Sequence, residues 1–261
     1  MARSSRCFAL LLAIAAACAC EDDHSSCASW ADGGECDKNP AFMKTTCAES
    51  CGHCTPAPLV DSGEDPLLGE ERVVLQIGYT SNSGIAKFGE VVLGFYPSVA
   101  PVTVAHILKL VKMGGYNTNE IFRVDRGFVA QVQSVDGGRR APMSKNLRNQ
   151  AKKNVPDEFS STIKHTRGML SMGKFDEPNT GTSSFSMLLG TAASLDRRYT
   201  IFGRVVGGDH VLSKLEELET RRDGIFVKPK DRVEVVSAVV MYSDGRGGLV
   251  VDPGEKRKIE L

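Results

Sequence analysis

Beyond Cys54 the chain contains no cysteine, so neither disulfides nor thiolate metal sites can form in the remainder of it. No Asn-x-Ser/Thr sequon occurs, which leaves no acceptor for N-glycosylation. The 26 glycines never fall into G-x-G-x-x-G or into G-x-x-x-x-G-K followed by Ser or Thr, so a phosphate-cradling loop finds no support. An excess of positive charge is missing as well. Lys and Arg number 32 against 32 Asp and Glu, which removes the basic balance of a dedicated nucleic-acid binder. The apolar run from Cys7 to Ala19 falls short of the roughly 20 residues that span a bilayer. No later stretch approaches that length, and the mature chain is expected to be soluble, with no membrane span.

What is present is unevenly distributed. Arg3 and Arg6 precede the Cys7–Ala19 run, and Ala17-Cys18-Ala19 offers small residues for cleavage, so residues 1–19 read as an export signal. Residues 20–71 hold 12 acidic and 2 basic side chains, whereas residues 72–261 hold 20 acidic and 28 basic. All eight cysteines lie in the first 54 residues, six of them from Cys20 onward. In an exported chain such a cluster means disulfides rather than a zinc site, and spacing alone leaves 15 pairings of six cysteines open. Cys20-x6-Cys27, Ser29-Trp30-Ala31, Gly34-Glu35-Cys36, Asn39-Pro40, Phe42-Met43 and Cys47-x3-Cys51-Gly52-x-Cys54 closely resemble the ShKT domain, a small helical three-disulfide module. The resemblance covers residues 20–54 and implies the pairs Cys20–Cys54, Cys27–Cys47 and Cys36–Cys51. The toxins of that family carry a Lys-Tyr pair where this chain has Ala41 and Phe42, which disfavours channel block. A docking module with an unknown protein or surface ligand is the expected reading, with His24 and His53 exposed to solvent.

Residues 55–71 contain three prolines, two glycines and five acids, the composition of a solvated linker. Eight short β-branched runs then read as strands: 73–77, 90–96, 121–124, 128–132, 169–172, 184–189, 201–206 and 233–241. Pro101, followed by Val104, Leu108 and Val111 and stopped by Gly114-Gly115, predicts one helix. Val211, Leu215 and Leu218 mark a second over about 209–218. The fold class expected is mainly β, an α+β capped barrel. Residues 243–261 read as a polar tail that ends in Lys258-Ile259-Glu260-Leu261, similar to the lumenal retention signal K-D-E-L except at Ile259.

Individual motifs narrow this class. Phe122-Arg123-Val124-x2-Gly127-Phe128-Val129-x-Gln131, Gly168-x-Leu170-Ser171-Met172, Pro178-Asn179-Thr180, Ser183-x-Phe185 and Leu195-Asp196-x4-Ile201-Phe202-Gly203-x-Val205 resemble the cyclophilins in order and spacing over residues 72–242. The overall likeness is to secretory-pathway cyclophilins of plants and algae. That resemblance implies an eight-stranded antiparallel barrel closed by two helices and a peptidyl-prolyl cis-trans isomerase that needs no cofactor or metal. It places Arg123 as the residue that stabilises the twisted prolyl amide, Phe128 beneath the substrate proline, Gln131 on the substrate backbone, and Val129 and Leu195 as apolar walls. Three positions depart from the pattern. Ser186 stands where a second pocket phenylalanine is usual, Tyr199 at a histidine position and Ser184 at a glutamine position. Losing an aromatic ring removes apolar area that would grip the proline, so weaker turnover is expected. Ser194 replaces the tryptophan associated with cyclosporin, so that drug is expected to bind poorly.

Other constellations are weak. His106, His165 and His210 lack metal-ligand spacing. The basic stretch Arg139 to Lys153 has no interleaved aromatics and reads as a solvated loop or short helix rather than a nucleic-acid patch. The expected function is isomerisation of proline-containing polypeptides in the secretory pathway, in the endoplasmic reticulum lumen or after secretion. The alternative is a catalytically weak proline-peptide-binding chaperone module targeted by its ShKT domain.

Overall fold

The computed structural model describes residues 22, 24–48, 50–51, 65–80, 86–243 and 248–251, and the chain divides between Pro58 and Leu59 into two units. The first is helical. Helix α1 (Cys27–Asp32), α2 (Glu35–Lys38) and α3 (Pro40–Thr46) follow one another closely. Gly34, at φ +76°, supplies the left-handed turn between α1 and α2, and Pro40 opens α3 where a missing N–H goes unnoticed. Among the described residues Cys27, Met43 and Cys47 form its buried centre, with Trp30, Ala31, Cys36 and Cys51 against them. Disulfides join Cys27 to Cys47 and Cys36 to Cys51, two of the three pairs that the ShKT resemblance implies. Cys20–Cys54, His53 and the signal segment lie outside the described residues. His24 is exposed and stacks on Trp30 at 4.6 Å.

The second unit is built on alternation. In β1 (Glu71–Thr80), Val73, Leu75, Ile77 and Tyr79 point inward, the period-2 pattern of a strand with one buried face. It pairs with β2 (Ala86–Phe95), and Pro101 then starts α4 (Pro101–Lys112). Next come β3 (Asn119–Asp125), β4 (Val129–Val132) and two short helices, α5 (Val135–Gly138) and α6 (Lys145–Ala151). Strands β5 (Met169–Met172), β6 (Phe185–Leu188) and β7 (Ile201–Gly207) precede α7 (Asp209–Glu216). A separate hairpin, β8 (Thr220–Asp223) and β9 (Phe226–Pro229), leads to β10 (Val233–Ser243). The order β1-β2-β7-β5-β6-β4-β3-β10 closes on itself because β10 also pairs with β1, so eight antiparallel strands form a barrel without open edges. Phe95, Phe185 and Phe202 meet inside it, with Phe185 and Phe202 edge-to-face at 5.8 Å. Val104, Ile107 and Val111 of α4 and Val211, Leu212 and Leu215 of α7 join the same core.

Two boundaries differ from the composition-based reading. Asp65 accepts a 2.7 Å hydrogen bond from the Tyr96 hydroxyl, and the Gly69 amide donates to the Phe95 carbonyl at 2.9 Å. The last residues of the expected linker therefore pack on the barrel, and β1 begins at Glu71 rather than Val73. At the other end, Leu249–Val251 forms strand β11 against Met241–Ser243 instead of belonging to a polar tail, because an apolar triplet with two β-branched valines can extend a sheet edge. Residues 252–261, with the Lys-Ile-Glu-Leu ending, lie outside the described residues.

Candidate active site

The barrel's outer surface carries a cleft of about 780 Å³, and neighbouring strands build its floor in a row. Arg123 on β3 pairs in register with Gln131 on β4, Gln131 with Ser186 on β6, and Ser186 with Ser171 on β5. Antiparallel register thus puts four side chains from four strands on one face. The turn from β3 to β4 needs Gly127, at φ +71°, and delivers Phe128 beside this row, with its amide bonded to the Asp125 carbonyl at 2.9 Å.

Arg123 is held chiefly by rings. Its Cζ lies 5.2 Å from the Phe128 centroid and 5.8 Å from that of Phe226. One terminal nitrogen donates to Asp125 Oδ2 at 3.1 Å, while Nε is buried without a hydrogen-bond partner. Gln131 donates from Nε2 to Ser184 Oγ at 3.2 Å, and that hydroxyl donates to the Val132 carbonyl at 2.8 Å. The Gln131 amide is therefore turned toward Ser184. Val129, buried, packs with Leu188 and Ala192, and Phe128, Met169 and Leu195 lie against them as a small apolar cluster apart from the main core. Arg123, Phe128, Val129, Gln131, Ser184, Ser186, Leu195 and Tyr199 all line the one cleft.

Several lining residues escaped the sequence reading. Phe226 and Ile225 arrive from the β8–β9 hairpin, and Phe122, Lys174 and Phe175 border the cleft as well. Gly224 was the available signal for the hairpin, since glycine at the first position of a two-residue loop favours a tight type II′ turn. Behind Ser171 runs a buried relay. His165 Nδ1 lies 3.0 Å from Asp196 Oδ1, and His165 Nε2 lies 3.1 Å from Ser171 Oγ. An ionised Asp196 cannot donate, so Nδ1 carries the proton and Nε2 accepts from the serine. Burial pushes the His165 pKa down and keeps the ring neutral, against the opposing pull of Asp196. The His165 amide and ring hold the Asp196 pKa at about 2. The relay fixes the floor of the cleft beneath Ser171. Among the described residues no group of three or more His, Cys, Asp or Glu side chains is placed to hold a metal ion.

Most of the basic stretch is exposed on or beside the short helix α6, and Arg139 is its structural member. Arg139 donates to the carbonyls of Asn117 at 2.8 Å and Ala141 at 3.0 Å, pinning the approach to α6. Among the described residues no helix is long and apolar enough to cross a membrane.

Comparison with known proteins agrees with this architecture. Residues 19–54 match the family model described as ShK domain-like, and residues 80–240 match that of cyclophilin type peptidyl-prolyl cis-trans isomerase/CLD. The chain is 56% identical over 173 residues to peptidyl-prolyl cis-trans isomerase CYP23 of Arabidopsis thaliana, covering 66% of this chain and 72% of that protein. It is 33% identical over 172 residues to a probable peptidyl-prolyl cis-trans isomerase of Brucella abortus, covering 64% of this chain and 81% of that protein. A crystal structure of a Cryptosporidium parvum cyclophilin shares the fold at a TM-score of 0.50 and 23% identity, covering 65% of this chain and 99% of that one. With a closed eight-stranded barrel, a disulfide-linked ShK-like module before it and these relatives, the chain belongs to the cyclophilin-type peptidyl-prolyl cis-trans isomerases.

Proposed function

We propose that the cleft isomerises X-Pro bonds of secretory-pathway polypeptides, with Arg123 as the catalytic residue. The barrier, about 18–20 kcal/mol, is amide resonance. As the bond twists, the prolyl nitrogen regains its lone pair and becomes a hydrogen-bond acceptor. A donor that meets this acceptor only in the twisted state lowers the barrier without tightening the ground state. The guanidinium suits this role because it is always charged and presents donors in a fixed plane. Such a charge-assisted bond is worth about 1.5–3 kcal/mol, roughly ten- to a hundred-fold in rate. The rest is supplied by a pocket arranged in advance. Phe128, Val129 and Leu195 seat the proline ring, Gln131 engages the substrate backbone, and Ser184, Ser186 and Tyr199 complete the lining. No covalent bond breaks, so the reaction calls for no cofactor.

The observation that carries this reading is the ring-clamped Arg123 beside Phe128 in one cleft. A related Cryptosporidium parvum cyclophilin has been crystallised in the presence of the dipeptide Ala-Pro, which supports a proline-containing ligand for this cleft. Ser186 favours turnover below that of a cyclophilin with a phenylalanine there, and Ser194 poor cyclosporin binding. The disulfides of the ShK-like module support an oxidising setting, the endoplasmic reticulum lumen or the exterior. In a protease-coupled proline-peptide assay, Arg123→Ala is expected to lower turnover about ten- to a hundred-fold with an unchanged circular-dichroism spectrum. Near wild-type turnover would remove Arg123 from the mechanism.

A further inference from the structure

The β8–β9 hairpin pairs only with itself, outside the barrel sheet, yet its tip enters the cleft. Gly224, at φ +61°, takes the first of the two central turn positions, where a type II′ turn needs glycine. The second is Ile225, which is 82% exposed in a place where turns ordinarily carry polar residues. Next in the chain, Phe226 packs edge-on against Phe122 at 5.3 Å and lies 5.8 Å from Arg123 Cζ.

We propose that this hairpin is a third wall of the active cleft: Phe226 is a positioning residue for Arg123, and Ile225 is a subsite for a bulky apolar residue flanking the substrate proline. The proposal rests on the assignment of Arg123 above. Among the described residues Arg123 has one ion pair, to Asp125, and a buried Nε with no partner, so hydrogen bonds alone leave the guanidinium free to swing about that single anchor. Two ring faces, Phe128 on the barrel and Phe226 on the hairpin, restrict that swing, and orientation of a donor toward a transient acceptor governs turnover rather than affinity. Ser186 leaves the cleft short of one aromatic ring, and Phe226 returns one from outside the barrel. Ile225, by contrast, touches no core. An exposed isoleucine on the rim of a cleft offers apolar area to whatever enters, which selects substrates with Leu, Phe or a similar residue next to proline.

The test uses the full chain with two peptide sets, one with Leu or Phe flanking proline and one with Gly or Ala, in assays that separate kcat from KM. Phe226→Ala is expected to lower kcat about three- to five-fold with KM nearly unchanged, and Phe226→Tyr to restore it. Ile225→Ser is expected to raise KM severalfold for the bulky apolar set and to leave the small set unaffected. Wild-type kcat in a folded Phe226→Ala protein, or equal losses for Ala and Tyr, overturns the positioning role. Equal KM changes for both sets, or none, overturn the subsite, and Ile225→Ser supplies this result even if Phe226→Ala does not fold, because its site is an exposed turn. Arg123→Ala run alongside separates the two readings: if it abolishes turnover while the hairpin variants change nothing, only the hairpin proposal falls.

Discussion

The two units of this chain are stabilised by opposite means. Among the described residues of the first unit the buried centre consists of Cys27, Met43 and Cys47, so two of its three members are cysteines of one disulfide. The barrel unit has no cysteine at all and relies on a continuous core from Val73 in β1 to Ala238 in β10. A segment of this length cannot remove enough apolar surface from water to offset its chain entropy, whereas the barrel can. Covalent restraint and apolar burial are thus interchangeable sources of stability whose proportions follow size.

Reduction is the harshest way to probe that contrast. Each described bridge closes a loop of 15 or 20 residues, worth roughly 3 kcal/mol in loop entropy. Dithiothreitol is expected to unfold the ShK-like module completely, collapsing the near-ultraviolet signal of Trp30, while isomerase activity persists. Loss of activity on reduction would mean that the barrel leans on its neighbour. Next in size, Phe202→Ala removes a fully buried ring that meets Phe95 and Phe185. It is expected to cost the barrel about 3–5 kcal/mol in denaturant unfolding and to leave the module's disulfides intact. A cost below about 1 kcal/mol would show that the aromatic centre is not what holds the barrel.

The smallest effect is pH-dependent and sharpens the same contrast. His106 and His165 are buried in the barrel unit, and burial lowers both pKa values, whereas His24 of the module is exposed. Below about pH 6.5 the unfolded chain takes up protons that the native barrel refuses, so stability is full above that pH and falls as pH drops through it. The denaturant midpoint of the barrel is expected to be lower at pH 5.5 than at pH 7.5. A flat midpoint over that range would contradict neutral, buried histidines.

Much of this architecture was legible because it is local. Strand alternation such as Val73, Leu75, Ile77 and the stop at Gly114-Gly115 are read within a few residues, and Arg123, Phe128 and Gln131 lie in one continuous motif. The hairpin was not legible from periodicity, since every residue of β8, Thr220–Asp223, is exposed and carries no apolar alternation. The Ser171–His165–Asp196 relay joins residues up to 31 apart, and no spacing rule announces a pairing made by folding. Leu249–Val251 and Asp65 were obscured by polar neighbours that dominated their segment's composition.

Closure of the barrel through β1 and β10 makes Glu71 and Tyr242 register partners, so the catalytic domain starts and finishes side by side. A domain with adjacent ends behaves as a cassette: it can be spliced between other sequences, or circularly permuted by linking those ends and reopening an exposed turn. Fusing another module in front, as this chain does with its disulfide-rich one, asks nothing of the barrel's interior.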